Sequence, residues 1–369
     1  MNNKNIQIFF DCGFSKIRAG VFNLNYDNKA DYVQSEFFTD RSNLQSKIQN
    51  IITSLEKDTN EYIENINLMI DSPKMLSIGI SLSKKLDGSK LKQSNIKFLV
   101  QEAKQQILKH YVNYNIAHII INNYKIDNVD YPHLPNEVKC HFISLDILFI
   151  CLPVDLVEYF KSIFSKSNIS IDQIICSSYA KSISYKENLS LHGYVSFIDV
   201  GFEKVSIISY FNDKILSLDV LQIGGNHITK DISKILDIDL ERAEQIKLNF
   251  TQNHKQPPDK NISIETCQKI IFARTEEILE LCLKSIKSNS LMSEQFKVVL
   301  IGEGSKILDN QYKDKISLVS DIDFLEETLE DICQSGFKLG SRYNKKEVVV
   351  VPKKLVKQGF FEKFFHFFK

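Results

Sequence analysis

Short apolar runs and helical periodicities alternate along this chain. Residues 6–10 and 19–22 are apolar runs separated by Asp11-Cys12-Gly13-Phe14-Ser15-Lys16, which predicts a β-hairpin at the start. From 42 to 56, apolar residues recur at helical spacing (Leu44, Ile48, Ile51, Ile52, Leu55). An apolar strand is expected over 67–71, ending at Ser72-Pro73. A basic, polar stretch covers 83–97 and a helix 98–110. Strands are expected at 117–121, 138–144 and 147–152, then an amphipathic helix over 155–165.

The pattern then starts again. Residues 195–200 form an apolar run ending in Asp199-Val200-Gly201, and returning runs follow at 205–211 and 215–223. Asp199 repeats the place of Asp11: a strand ending in Asp-x-Gly, a turn, a strand coming back. Two copies of one hairpin half a chain apart predict a duplicated α/β architecture. Helical patterns follow at 228–236, 240–250 and 263–288, with a loop at 253–260 carrying Pro257-Pro258. An apolar strand at 298–301 runs into Gly302-Glu303-Gly304-Ser305, and a helix is expected over 321–335.

Composition sharpens this picture at three points. Lys+Arg and Asp+Glu both number 46, which excludes a globally basic nucleic-acid binder, and no nucleic-acid partner is expected. Seven scattered cysteines without a CxxC pair predict reduced thiols and no zinc site. The start of the chain enters a strand directly, so no signal peptide is expected. Glycine numbers 13 of 369, about half the usual ~7%, so each glycine pair matters to any loop that cradles phosphate.

A nucleoside triphosphate is held by backbone N–H groups in tight turns, by lysine or serine, and by Mg²⁺ that carboxylates position through water. Read alone, Asp11 and Asp199 merely end strands in hairpin turns. Together with Gly224-Gly225 and Gly302–Gly304 they supply four turns between which a nucleotide could sit.

These residues resemble the FtsA family of bacterial cell-division proteins within the actin-like ATPase superfamily. Ile198-Asp199-Val200-Gly201 looks like the second phosphate motif. Residues 222–232, Gln-Ile-Gly-Gly-Asn-His-Ile-Thr-Lys-Asp-Ile, resemble the glycine-pair segment. Ala243-Glu244-Gln245-Ile246-Lys247 is similar to Ala-Glu-x-Ile-Lys, and residues 271–280 to the Ala-Arg-x-Glu-Glu-Ile signature. Residues 298–305 look like the adenosine motif. The resemblance implies ATP with Mg²⁺ at Asp11, Gly13, Ser15, Lys16, Asp199, Gly201, Gly224, Gly225, Glu244, Lys247, Gly302 and Gly304, with Asp11 and Asp199 reaching the metal through water. The loops depart from the family pattern. Phe202-Glu203-Lys204-Val205-Ser206 stand where two glycines, two threonines and an aspartate are usual, Phe14 takes a threonine position, and Glu303 replaces a glycine. Side chains at 202 and 203 crowd a close approach to phosphate, so ATP binding is open and hydrolysis is expected to be weak, vestigial or absent.

The tail carries its own signal. After Pro352, six phenylalanines fall within nine residues. Placed on an α-helix, Phe360, Phe361, Phe364, Phe365, Phe367 and Phe368 share one half of the wheel, and Lys354 and Lys357 stand at its entry. Residues 345–369 carry seven lysines and two glutamates, leaving residues 1–344 with a net charge of −5. A Phe-rich face edged with lysine predicts a helix lying on anionic lipid.

The expectation is an actin-like, duplicated two-lobe α/β fold with a family-specific inserted subdomain and a C-terminal amphipathic helix. Subdomain 1A takes 1–73 and 153–194, the inserted subdomain 1C 74–152, subdomain 2A 195–225 and 296–343, and subdomain 2B 226–295. A linker at 344–353 leads to the membrane helix at 354–369. The resemblance implies a polymerising adaptor at the cytoplasmic side of the cell membrane at the division septum. It would hold FtsZ there through the FtsZ C-terminal peptide, using Arg274 and Glu277, and recruit later division proteins. The alternatives are an ATPase or sugar kinase of the same superfamily, which needs intact phosphate loops, and a pilus-assembly actin homologue, which lacks the tail helix.

Overall fold

The computed structural model describes residues 6–24, 29–38, 41–135, 138–251, 263–289, 296–307 and 321–341. The opening hairpin forms as β1 (Ile6–Cys12) and β2 (Lys16–Asn23), with Asp11 opposite Arg18. β3 (Ala30–Phe37) pairs with β2 on the outside. On the other side β4 (Asn65–Ile70) and β9 (Ser170–Cys176) are added in parallel, giving the order β3-β2-β1-β4-β9.

The second lobe repeats this plan. β10 (Tyr194–Val200), β11 (Val205–Phe211) and β12 (Lys214–Leu221) form the antiparallel run, and β13 (Lys297–Ile301) and β14 (Asp321–Phe324) the parallel side. The order is β12-β11-β10-β13-β14, the same connectivity as the first sheet. The duplication expected from two hairpins therefore extends to all five strands of each lobe.

A third, antiparallel sheet is inserted between β4 and β9. It comprises β5 (Leu76–Lys85), β6 (Tyr114–Ile126), β7 (Val129–Tyr131) and β8 (Phe142–Pro153), in the order β5-β8-β6-β7. α2 (Gln93–His110) packs on it through Leu99, Val100, Ala103 and Ile107, in a core separate from that of the two lobes. The basic, polar stretch at 83–97 holds the end of β5 and the start of α2. Along β5, Leu76, Ile78, Ile80 and Leu82 alternate with Ser and Gly, a period of two that marks a half-buried strand. The strands expected at 138–144 and 147–152 are one strand, β8, because Leu145 continues the buried face between them.

α1 (Leu44–Thr59) buries the five apolar residues whose spacing predicts it and stops at Asn60, whose φ of 54° is left-handed. α3 (Val154–Ser165) follows β8 directly. α4 (Ser177–Asn188) escapes the sequence pattern because nearly all of it is buried and much of it is serine. It lies between the lobes: Tyr179, Ala180 and Tyr185 share one core with Phe197, Ile208 and Tyr210 of the second sheet, and Ser182 Oγ lies 2.7 Å from Tyr210 Oη. α5 (Gly225–Leu236), α6 (Leu240–Thr251) and α7 (Ile264–Asn289) cluster around Ile228, Ile232, Ala243, Ile246, Cys267 and Ile271. All seven cysteines are free and buried.

The helix expected over 321–335 is a strand followed by a later helix, β14 and α8 (Leu329–Ser341). Thr328 and Asp331 set the start of α8. The Asp331 N–H donates to Thr328 Oγ1 at 3.1 Å and the Thr328 N–H to Asp331 Oδ2 at 3.0 Å, a reciprocal cap. α8 packs on the first sheet, not the second. Phe337 stacks on Phe22 with centroids 4.7 Å apart, and Gly336 touches Met69 and Phe9 so closely that a Cβ would lie 2.3 Å from Met69 Sδ. Residues 329–341 thus return to the first lobe, which corrects the assignment of 296–343 to subdomain 2A. The loop at 253–260 and the linker and tail helix at 344–369 lie outside the described residues.

Candidate functional site

The end of β1 carries Asp11 into the junction of the two lobes. Arg18 Nη1 donates to its Oδ2 at 2.8 Å, across the β1–β2 register, and Ser177 Oγ donates to its Oδ1 at 2.7 Å. The turn closes when the Gly13 N–H donates to Lys16 O at 3.0 Å; a Cβ on Gly13 would fall 2.9 Å from that oxygen, so glycine is required. Ser15 O accepts the Phe38 N–H at 3.1 Å. Lys16 leaves its own lobe: its Nζ lies 4.3 Å over the Phe37 ring and donates to Glu303 Oε1 at 2.8 Å. Arg18 Nη2 reaches the same oxygen at 3.1 Å.

The end of β10 repeats this geometry with different partners. Gly201 N–H donates to Lys204 O at 2.9 Å. The cation on Asp199 comes from α4, where Lys181 Nζ lies 2.7 Å from Oδ1 and 3.3 Å from Glu327 Oε1. Lys204 also crosses the junction, its Nζ 2.8 Å from Asp71 Oδ2 and bonded to Ser206 Oγ. Glu203, whose side chain is expected to crowd phosphate, accepts from Asn226 Nδ2 at 2.8 Å at the start of α5.

The remaining turns pack onto these two. Gly225 N–H donates to Gly201 O at 3.0 Å and Asn226 N–H to Phe202 O at 2.7 Å, so two of the first N–H groups of α5 are spent on the second turn. A Cβ on Gly224 would lie 2.6 Å from Gly201 O. Gly302 has φ +89° and lies against Asp199 and Val200, and a Cβ on Gly304 would lie 2.7 Å from Val200 O. Glu244 and Lys247 meet one turn apart on α6. Lys247 Nζ donates to Glu244 Oε2 at 2.5 Å, Thr229 Oγ1 at 2.9 Å and Gly225 O at 3.1 Å, and lies 5.1 Å from the Phe202 ring centre.

Electrostatics follow from burial and pairing. Burial pushes Asp71 and Glu303 up, but Lys204 on the one and Arg18 with Lys16 on the other outweigh it and hold both below the usual carboxylate range. Burial lowers Lys181, but Asp199 and Glu327 prevail and raise it. Glu327 is raised by burial; it accepts from the Tyr185 hydroxyl at 2.9 Å and the Gly302 N–H at 2.6 Å. Lys247 is lowered, burial outweighing Glu244.

The structure therefore brings together every turn singled out in the sequence. As arranged, their residues do not fit a Mg-nucleotide. Asp11 and Asp199, expected to position Mg²⁺ through water, each hold a protein cation, Arg18 and Lys181. Lys16 is committed to Glu303, and Lys247 to Glu244 and the glycine-pair backbone. Sequence reasoning missed Arg18, Asp71, Lys181 and Glu327. Arg18 had a readable signal, since Lys16 and Arg18 flank Ile17 on a strand that is otherwise apolar. Lys181 and Glu327 had none: Lys181 sits on the largely buried α4, which lacks an amphipathic pattern, and Glu327 meets that helix from 142 residues away.

Arg274, on α7, is engaged as well. Its Nε donates to Asp231 Oδ2 at 2.6 Å and its Nη2 to Oδ1 at 3.1 Å, tying α7 to α5, and Glu277 bonds Nη1. Arg274 and Asp231 remain about a quarter exposed, at 26% and 27%.

Comparison with known proteins finds relatives among cell-division proteins. Residues 196–347 match the model of "Cell division protein FtsA". The FtsA of Buchnera aphidicola subsp. Schizaphis graminum is 25% identical over 249 residues, 63% of this chain and 57% of its own length. The FtsA of Borreliella burgdorferi is 22% identical over 337 residues, 82% of this chain and 80% of its own. This chain thus matches little more than half of the Buchnera protein. Among solved structures, the PilM-PilN type IV pilus biogenesis complex superposes with a TM-score of 0.66 at 13% identity, covering 91% of this chain and 98% of that one. The ethanolamine utilization protein EutJ from Carboxydothermus hydrogenoformans gives 0.52 at 11%, covering 91% of each. These two likenesses speak to the fold, which is actin-like.

Proposed function

We propose that this chain, a member of the FtsA family of cell-division proteins, works as a division adaptor that binds FtsZ and holds it at the membrane. The observation that carries this reading is the FtsA match over 196–347, which takes in the second sheet, the α5–α7 unit and α8. The pilus reading draws only on a fold likeness, whereas the sequence relatives named above are FtsA proteins.

The α5–α7 unit is the proposed seat of the FtsZ C-terminal peptide. Arg274 and Asp231 form a half-buried bidentate pair at its surface, and an acidic side chain of the peptide competes with Asp231 for the guanidinium. Residues 354–369 are the proposed lipid contact, with the six phenylalanines facing the acyl boundary and Lys354 and Lys357 the headgroups. Among the described residues no helix is long and apolar enough to cross a membrane. Self-association into filaments and recruitment of later division proteins complete the role. Turnover of ATP is no part of it, at most a vestige.

The test is binding of a synthetic FtsZ C-terminal peptide by fluorescence anisotropy. Saturable binding, weakened at least tenfold by Arg274→Glu, is expected. Absence of binding to the wild-type chain removes the FtsZ role, and equal affinity of the variant removes Arg274 from the site.

A further inference from the structure

Two of the ion pairs that cross between the lobes are one interaction made twice. Both turns read Asp-x-Gly-Phe-x-Lys, at 11–16 and at 199–204. In each, the glycine N–H donates to the lysine carbonyl, so the two lysines leave equivalent turns. The carboxylates they meet are equivalent too. In the parallel registers Asp11 stands beside Met69 and Asp199 beside Ile301. Asp71 and Glu303 each lie two residues further on. Lys16 thus reaches from the first lobe to Glu303 of the second, and Lys204 from the second lobe to Asp71 of the first.

We propose that this reciprocal pair, with Lys181 bridging Asp199 and Glu327, is a built-in clasp that closes the cleft in place of a Mg-nucleotide. Closure is then a property of the chain itself.

Three observations carry this. The cations are buried or nearly so, with Lys16 and Arg18 at 9% exposure or less and Lys204 at 4%, and an ammonium so placed is held only by its partners. The substitutions that remove phosphate-loop character also build the clasp: Glu303 stands at a usual glycine, and it is the group that takes Lys16 and Arg18. A Mg-nucleotide, moreover, carries net negative charge. To bind it, Lys16, Arg18 and Lys204 would leave Glu303 and Asp71, uncovering carboxylates beside the entering phosphates. The clasp rests on the cleft alone, so a chain that fails to bind the FtsZ peptide leaves it standing.

The test uses the full chain. Titration with Mg-ATP and Mg-ADP is expected to give no saturable heat in calorimetry and no rise in Tm. Saturable binding accompanied by a rise in Tm overturns the proposal. The second arm is a charge exchange: Lys204→Glu and Asp71→Lys each lower Tm, and the double variant recovers at least half of the larger loss. A double variant no more stable than the worse single one also overturns it. Should the single variants fail to fold, Lys16→Ala serves, because its partner Glu303 keeps access to water at 36% side-chain exposure. It is expected to speed amide exchange in the 302–305 turn of the opposite lobe, and unchanged exchange there contradicts a clasp.

Discussion

Lys181 Nζ lies between two buried carboxylates, 2.7 Å from Asp199 Oδ1 and 3.3 Å from Glu327 Oε1, so one ammonium neutralises a pair of acids. Replacing it with methionine strands both. Lys181→Met is expected to lose about 3–5 kcal/mol in urea unfolding, the cost of leaving a buried charge without its partner. Adding Glu327→Gln recovers part of that loss, since one stranded charge is removed. A single variant as stable as wild type contradicts the buried pairing.

Acid weakens the clasp from both lobes. Asp71 and Glu303 have folded pKa values below their unfolded ones, so their stabilisation is present above the ordinary carboxylate range and is lost as pH falls through the folded values. Glu327 has the opposite sign: its folded value is raised, and its protonation favours the fold as pH falls. The Glu327 effect is complete once pH has fallen to its unfolded value, so below that value the two lowered groups set the sign. The urea midpoint is expected to decline below about pH 4, and less steeply in Glu303→Gln. Equal slopes in the two proteins contradict the assignment.

Gly302 tests the packing of the adenosine-like turn on Asp199. Its φ is +89°, and a Cβ would lie 2.5 Å from both Asp199 Oδ1 and Val200 O. Gly302→Ala combines a strained backbone with overpacking and is expected to cost about 2–4 kcal/mol. Gly193 is the control: φ is +74° but nothing lies within 4 Å, so Gly193→Ala should cost only about 1 kcal/mol of backbone strain. Equal losses in thermal melts contradict the close contact.

Phe337 anchors α8 to the first lobe through its stack on Phe22 and its edge contact with Phe9. Phe337→Ala is expected to cost about 3–5 kcal/mol and to speed amide exchange along β1 and β2. Protection lost along β13 and β14 instead would return α8 to the second lobe.

Hairpins and amphipathic helices were legible because their signal is local. The residues 6–10 and 19–22 needed only a turn between apolar runs, and Leu44 to Leu55 declared one buried face. α4 was not legible: a helix buried on all sides and built from serine and tyrosine shows no polar face to contrast with an apolar one. α8 was misplaced because its partners, Phe9, Phe22 and Met69, lie some three hundred residues earlier. The site divides in the same way. Its turns were found from Asp and Gly, but what occupies them was not, because Lys204 and Asp71, or Lys16 and Glu303, become neighbours only when the two lobes close. Glu303 and Lys204 had looked like erosion of a phosphate site; in the fold Glu303 takes Lys16 and Lys204 takes Asp71.

The division role is tested most directly by flotation of FtsZ with vesicles of anionic lipid, with and without the full chain. FtsZ is expected to float only when the full chain is present, and to stay at the bottom when the chain lacks residues 353–369 or carries Arg274→Glu. FtsZ floating equally well with the truncated chain, or failing to float with the intact one, contradicts it.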